Sequence, residues 1–140
     1  MKLSRNFYLW EFTKSQTAQR LGINNTPPKE AVARLEDLCF WVLQPLREML
    51  DTPIIVSSGY RCEALNKAIG GSEASQHMNG MAADIEAVGI SNQNLFDAIQ
   101  RELRFDQLIL EYHQPEKPMS GWVHVSYRDD NRMMAFRIGG

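Results

Sequence analysis

A chain of 140 residues with 15 Lys+Arg against 17 Asp+Glu, a formal net charge of -2, has room for one domain (1–140) and little for a second. That balance leaves no basic surface for nucleic acid or an anionic membrane, and 44% hydrophobic with 23% charged residues is ordinary globular composition. Lys2 and Arg5 are followed by Asn6, Glu11 and Lys14, which break up any apolar run, so neither a signal peptide nor a transmembrane helix is expected.

The aromatic stretch Phe7 to Phe12 reads as an N-terminal strap, with Trp10 and Phe12 covering the core. Ser15 is placed to cap a short helix through Leu21, ended by Gly22. Thr26-Pro27-Pro28 reads as the start of the main helix, with Thr26 as cap. Along it Val32, Leu35, Cys39, Val42, Leu46 and Met49 form one apolar face, and Pro45 predicts a kink near Trp41. Cys39 and Cys62 are expected to be reduced, packed thiols, since a core of this size needs no disulfide.

The β-branched run Ile54 to Ser57 predicts a buried strand delivering Ser58-Gly59-Tyr60-Arg61 to its end. Cys62 to Ile69 reads as a helix stopped by Gly70-Gly71. Ala82 to Glu86 is a second strand, and Ser91 caps a helix through Leu103. Gln107 to Glu111, Trp122 to Tyr127 and Met133 to Ile138 complete the strands. Helices first and hairpin-spaced strands later predict an α+β fold, a mostly antiparallel sheet covered by helices.

Within that frame Asp84 stands out, a carboxylate between Ala83 and Ile85. Such a group needs a partner, because burying an unpaired charge costs several kcal/mol or forces it to protonate. His77, in the polar loop before it, and His124, between two valines, supply two imidazoles. Two nitrogens and one oxygen are a suitable set for a catalytic zinc ion with water in its fourth position.

The pattern Ser75-x-His77-x-x-Gly80-x-Ala82-x-Asp84, followed by Trp122-x-His124, resembles the M15 group of zinc D-Ala-D-Ala carboxypeptidases and related peptidoglycan peptidases. Ser57 to Arg61 resembles the arginine-bearing segment of that family, and the likeness runs from roughly Pro45 to Ser126. The resemblance implies the fold shared with the hedgehog signalling domain, with Zn2+ held by His77, Asp84 and His124. It also implies a peptidoglycan stem peptide as substrate, bound through the Arg61 guanidinium and through Ser75 and Gln76. The family commonly carries an acid a few residues before its last histidine, where this chain has Gly121. Glu111 is the preferred general base, because its strand is expected to pair with that of His124. Glu116, between Pro115 and Pro118, is the alternative. His113 is expected to be an exposed loop residue.

The expected protein is therefore a monomeric zinc peptidase, a carboxypeptidase or an endolysin-type endopeptidase. The absent signal sequence suits an enzyme made in the cytoplasm, phage-encoded and released to the wall through a separate pore, or an intracellular recycling enzyme. The alternative is a non-catalytic zinc module of the same fold, for example phage-associated.

Overall fold

The computed structural model describes residues 1–139. A five-stranded sheet runs in the order β3 (Ile54–Ser58), β4 (Ala82–Ala87), β6 (Trp122–Ser126), β5 (Gln107–Glu111), β7 (Met134–Ile138). Three of its pairings are antiparallel and one, β7 on β5, is parallel, so the fold is α+β with a mixed rather than wholly antiparallel sheet. The parallel edge arises because residues 127–133 carry the chain back past Phe105 and Asp106, whose carbonyls accept from Met133 and Met134. A separate two-stranded ribbon, β1 (Lys2–Ser4) with β2 (Phe7–Tyr8), precedes α1 (Leu9–Thr13) and α2 (Gln16–Leu21).

Alternation along the strands divides the sheet into two faces. Val56, Ala83, Ile85, Leu108, Leu110, Val123 and Val125 turn into the core, where they meet Leu35, Leu38, Leu46, Leu95 and Ile99 from the helices. The other face carries the polar residues. β3 is an edge strand buried on one side only, with Ile55 48% exposed, because nothing packs over its outer positions.

The main helix does not begin at Thr26. That residue folds back on the Asn24 side chain through its N–H and its hydroxyl, and α3 (Lys29–Leu38) starts from Pro28. Pro45 is accommodated without a break. Its missing N–H and its ring disturb the turn before it, and a π-helical turn, Cys39–Leu43, absorbs the misfit before α4 (Gln44–Leu50). Leu35, Cys39, Val42 and Leu46 are buried as the spacing predicts, whereas Met49 is exposed. Both cysteines are free thiols. Phe7 and Phe12 fill the core beneath the strap, but Trp10 is 61% exposed and receives the Lys14 ammonium over its ring.

Ser15 caps α2 by accepting from the Ala18 N–H, and Ser91 caps α6 (Asn92–Glu102) by accepting from Asn94. The Cys62 thiol caps α5 (Glu63–Ala68). No helix among the described residues is long and apolar enough to cross a membrane.

Candidate metal centre and its cleft

Three chain segments converge on the open face of the sheet. Asp84 on β4 lies directly opposite His124 on β6, so both side chains leave the same face. His77 arrives from above, in the 3-10 turn Gln76–Asn79 between α5 and β4. The Ser75 hydroxyl accepts from the His77 backbone N–H at 3.2 Å, and the Arg61 N–H donates to the His77 carbonyl at 3.1 Å.

Gly59 sets the imidazole. Its backbone presses so closely on Phe12 of α1 that a Cβ would sit 2.6 Å from the Phe12 Cα, and its carbonyl lies 2.7 Å from His77 Nδ1. A carbonyl only accepts, so Nδ1 carries the proton and Nε2 turns its lone pair towards Asp84 Oδ1, 3.3 Å away. His124 presents Nδ1 to the same oxygen at 3.1 Å. The three donor atoms lie within 4.8 Å of one another, with both imidazoles buried.

Lone pairs held face to face in a buried place need a proton or a cation between them. A tetrahedral ion with bonds of about 2.0–2.1 Å separates its ligands by roughly 3.3–3.4 Å. The two spacings around Asp84 Oδ1, 3.1 and 3.3 Å, match that edge, and the two imidazole donors lie within 4.8 Å of each other, so the N,N,O set suits a zinc ion drawn between the three groups. Burial alone would push the Asp84 carboxyl up. The imidazoles of His124 and His77 set against it outweigh burial and hold the group well below the usual carboxylate range.

The cleft in front of these atoms encloses about 410 Å³, with Arg61, Gln76, Ile109, Glu111 and Trp122 in its walls. A larger depression of about 750 Å³ lies on the far side of Arg61, against α2 and β3, and contains none of the three donors. Arg61 Nη2 donates to Ser75 Oγ at 3.2 Å, while its buried Nε has no partner. Burial lowers the pKa of the guanidinium, and the charges of Asp84 and Glu111 resist that fall. Gln76 is held in the cleft wall by its Nε2, which donates to Asp106 Oδ2 at 2.8 Å.

Glu111 ends β5 directly across from Trp122 and accepts from the indole N–H at 3.2 Å. Burial raises its pKa, as does the nearby Asp84 charge, against the opposing pull of His124, the indole hydrogen bond and His77. Glu116 is exposed in the connecting loop and lies outside the cleft walls. His113 is not an exposed loop residue. It is 5% exposed, with Nδ1 3.1 Å from the Ser120 carbonyl, because the 112–121 loop folds back over it.

Two supports went unrecognised in the sequence. Asp106 is fully buried and receives the Arg132 side chain in a fork, at 2.9 and 2.7 Å, the Arg132 backbone N–H at 3.0 Å, and Gln76. Asn92 is fully buried at the start of α6, and its amide donates to the Ser120 and Gly121 carbonyls, fixing the entry to β6. The signal for Asp106 is weaker than that for Asp84: Phe105 precedes it, but Arg104 and Gln107 make the stretch read as polar.

Among known proteins, a zinc D-Ala-D-Ala carboxypeptidase of Streptomyces albus G is 42% identical over 59 residues, which make up 41% of this chain and 23% of that protein. The chain thus matches less than a quarter of that relative's length. The family model described as Peptidase M15 matches residues 5–126, from the strap through the last of the three donors, and the chain belongs to the peptidase M15 family.

Proposed function

We propose that the protein is a zinc peptidase that hydrolyses a peptide bond in the stem peptides of bacterial peptidoglycan, with the metal held by His77, Asp84 and His124. The observation that carries this reading is the convergence of those three donors, with both imidazoles at the edge length of a tetrahedral ion from Asp84, facing a cleft that also holds a carboxylate and a guanidinium. Family membership and the name of the Streptomyces relative support the substrate class.

Bound zinc supplies Lewis acidity, polarising a carbonyl and acidifying water. The chain supplies the rest. Arg61, whose side chain lines the cleft wall, grips a substrate carboxylate through its guanidinium and so fixes the scissile bond over the donor triad. Ser75 holds that guanidinium and the His77 turn together, so it acts on substrate through Arg61. Gln76, in the cleft wall, braces the same turn through Asp106.

Glu111, raised by burial and oriented by Trp122, accepts a proton from the attacking water. The water oxygen bonds to the carbonyl carbon, the C–N bond breaks, and Glu111 returns the proton to the departing amine. A carboxylate anchor suits cleavage next to a free C-terminus, which favours a carboxypeptidase over an endopeptidase.

Digestion of purified peptidoglycan by the zinc-loaded protein, with mass analysis of the products, tests this reading. Release of a terminal amino acid is the expected result. Cleaved cross-links would make it an endopeptidase, and an undigested wall with full zinc occupancy would make it a non-catalytic zinc module.

A further inference from the structure

The metal-site face of the sheet does not end at the cleft. Asp84, His124, Ile109 and Phe136 are consecutive Cα partners across β4, β6, β5 and β7, forming one row. Paired residues on neighbouring strands project from the same face, so Phe136 shares the face of the metal donors, two strand spacings or roughly 10 Å beyond His124. The adjoining rows repeat the pattern. Ile138 lies beside Glu111 and Trp122, and Met134 beside Gln107.

β7 thus sets Met134, Phe136 and Ile138 in line next to the cleft floor, 41%, 36% and 39% exposed, while the intervening Ala135 packs on the core. A solvent-facing side of an edge strand is ordinarily polar. One exposed apolar residue means little, but three in a row against a cleft make a contiguous apolar patch, the kind of surface that marks an interaction site.

We infer that the β7 shelf is a substrate subsite, taking an apolar side chain on the acyl side of the scissile bond. This rests on the peptidase reading above. The polar end of the cleft, with Arg61 and Ser75, is on the β3 side of the donors and the apolar shelf is on the opposite side. A chain whose terminal carboxylate is held by Arg61 therefore crosses the donors and leaves over Ile109 towards β7. An extended peptide advances about 3.3 Å per residue, so the shelf is reached about three residues upstream of the cut. The preferred group there is aliphatic, or the aliphatic stem of a longer side chain whose charged tip stays in water.

The experiment compares zinc-loaded proteins on two synthetic peptides that share the cleaved bond and differ only in Leu or Ser three residues upstream. Wild type should favour Leu about five- to tenfold in kcat/KM, chiefly through KM, a modest factor because an open shelf excludes water from one side only. Phe136→Ser should reduce that preference to about twofold or less, and Phe136→Leu should retain most of it. Met134→Ser should lower it in the same direction, which keeps the test intact if Phe136→Ser misfolds. Val88→Ser, at an exposed apolar turn residue away from the sheet face, should keep the wild-type preference.

Cleavage of both peptides with no preference in wild type, or a preference that survives Phe136→Ser and Met134→Ser, overturns the subsite and leaves the peptidase standing. So does a wild-type dimer that Phe136→Ser dissociates without altering the preference, since the shelf would then be a contact between copies. If wild type cleaves neither peptide nor wall material, the peptidase reading falls and takes the subsite with it.

Discussion

Replacing Asp106 by Asn changes one atom in the most densely bonded side chain behind the metal site. Oδ1 accepts from the Arg132 N–H and Nε at 3.0 and 2.9 Å, and Oδ2 from Arg132 Nη2 at 2.7 Å and Gln76 Nε2 at 2.8 Å. Whichever oxygen becomes the amide NH2, two accepted bonds turn into donor facing donor. Hydrogen bonds to a charged group contribute about 1.5–3 kcal/mol each. The Arg132 side chain is 43% exposed and recovers water when released, so the lower end applies and the loss should be about 3 kcal/mol. In a domain of this size that lowers Tm by roughly 10 °C.

The pH dependence gives a second reading of the same contact. The hydrogen bonds from Arg132, with help from Gln76 and against burial, hold the Asp106 carboxyl below its ordinary range in the fold. Its contribution is therefore fully present above the unfolded value of about 3.9 and is lost as pH falls through it towards the lower folded value. Urea unfolding of wild type and Asp106→Asn, with metal chelated, should show the widest gap at neutral pH and a narrowing gap below about pH 4. A neutral-pH difference under about 0.5 kcal/mol, the scale of an ordinary surface change, would refute the reasoning.

His77→Ala, Asp84→Ala and His124→Ala should each strongly deplete bound zinc in metal analysis, because two remaining ligands are too few for tight binding; full occupancy in any of them removes that residue from the site. Arg61→Lys keeps the charge but loses the planar fork, so kcat/KM should fall about tenfold or more at unchanged zinc content, and wild-type kinetics would return Arg61 to a structural role. Glu111→Gln should retain fold and zinc yet turn over roughly 100-fold more slowly, the lower range for a lost acid–base group. If Glu111→Gln is normal and Glu116→Gln is slow, the base belongs in the 112–121 loop.

The metal centre was legible because its parts are local or periodic. A carboxylate in an apolar run needs a partner wherever it occurs, and strand alternation then decides which side chains share a face with Asp84 and His124. The position of Glu111 followed similarly, from a hairpin-length connection between β5 and β6. What was not legible depended on contacts distant in sequence. The parallel seating of β7 rests on the 127–133 segment returning to Phe105 and Asp106, which no periodicity announces. His113 looked exposed because its neighbours are polar, yet the loop closes over it through Ser120, whose hydroxyl accepts from the Gln114 N–H and donates to the Lys117 carbonyl. Pro45 predicts a disturbance of the helix near Trp41, because a proline inside a helix removes a bond, and the π-helical turn Cys39–Leu43 is centred there. That the misfit takes a π register is what the sequence leaves open.

Gly121 bears on why the proposed base stands on β5. The resemblance places an acidic residue shortly before the last histidine, and Gly121 is the third position upstream of His124. Its φ of +69° favours glycine, and a Cβ there would collide with the Glu111 carbonyl oxygen and lie 2.8 Å from the His113 nitrogen. Backbone of the β5 end fills the space a side chain would need, so no residue at 121 can carry a carboxylate towards the donors. The same close approach brings Glu111 itself against Trp122, whose indole orients the carboxylate. The glycine that leaves no room for an acid just before β6 thus sits against the β5 end that carries Glu111, the proposed base, and an acid introduced at 121 should push Glu111 away and not replace it.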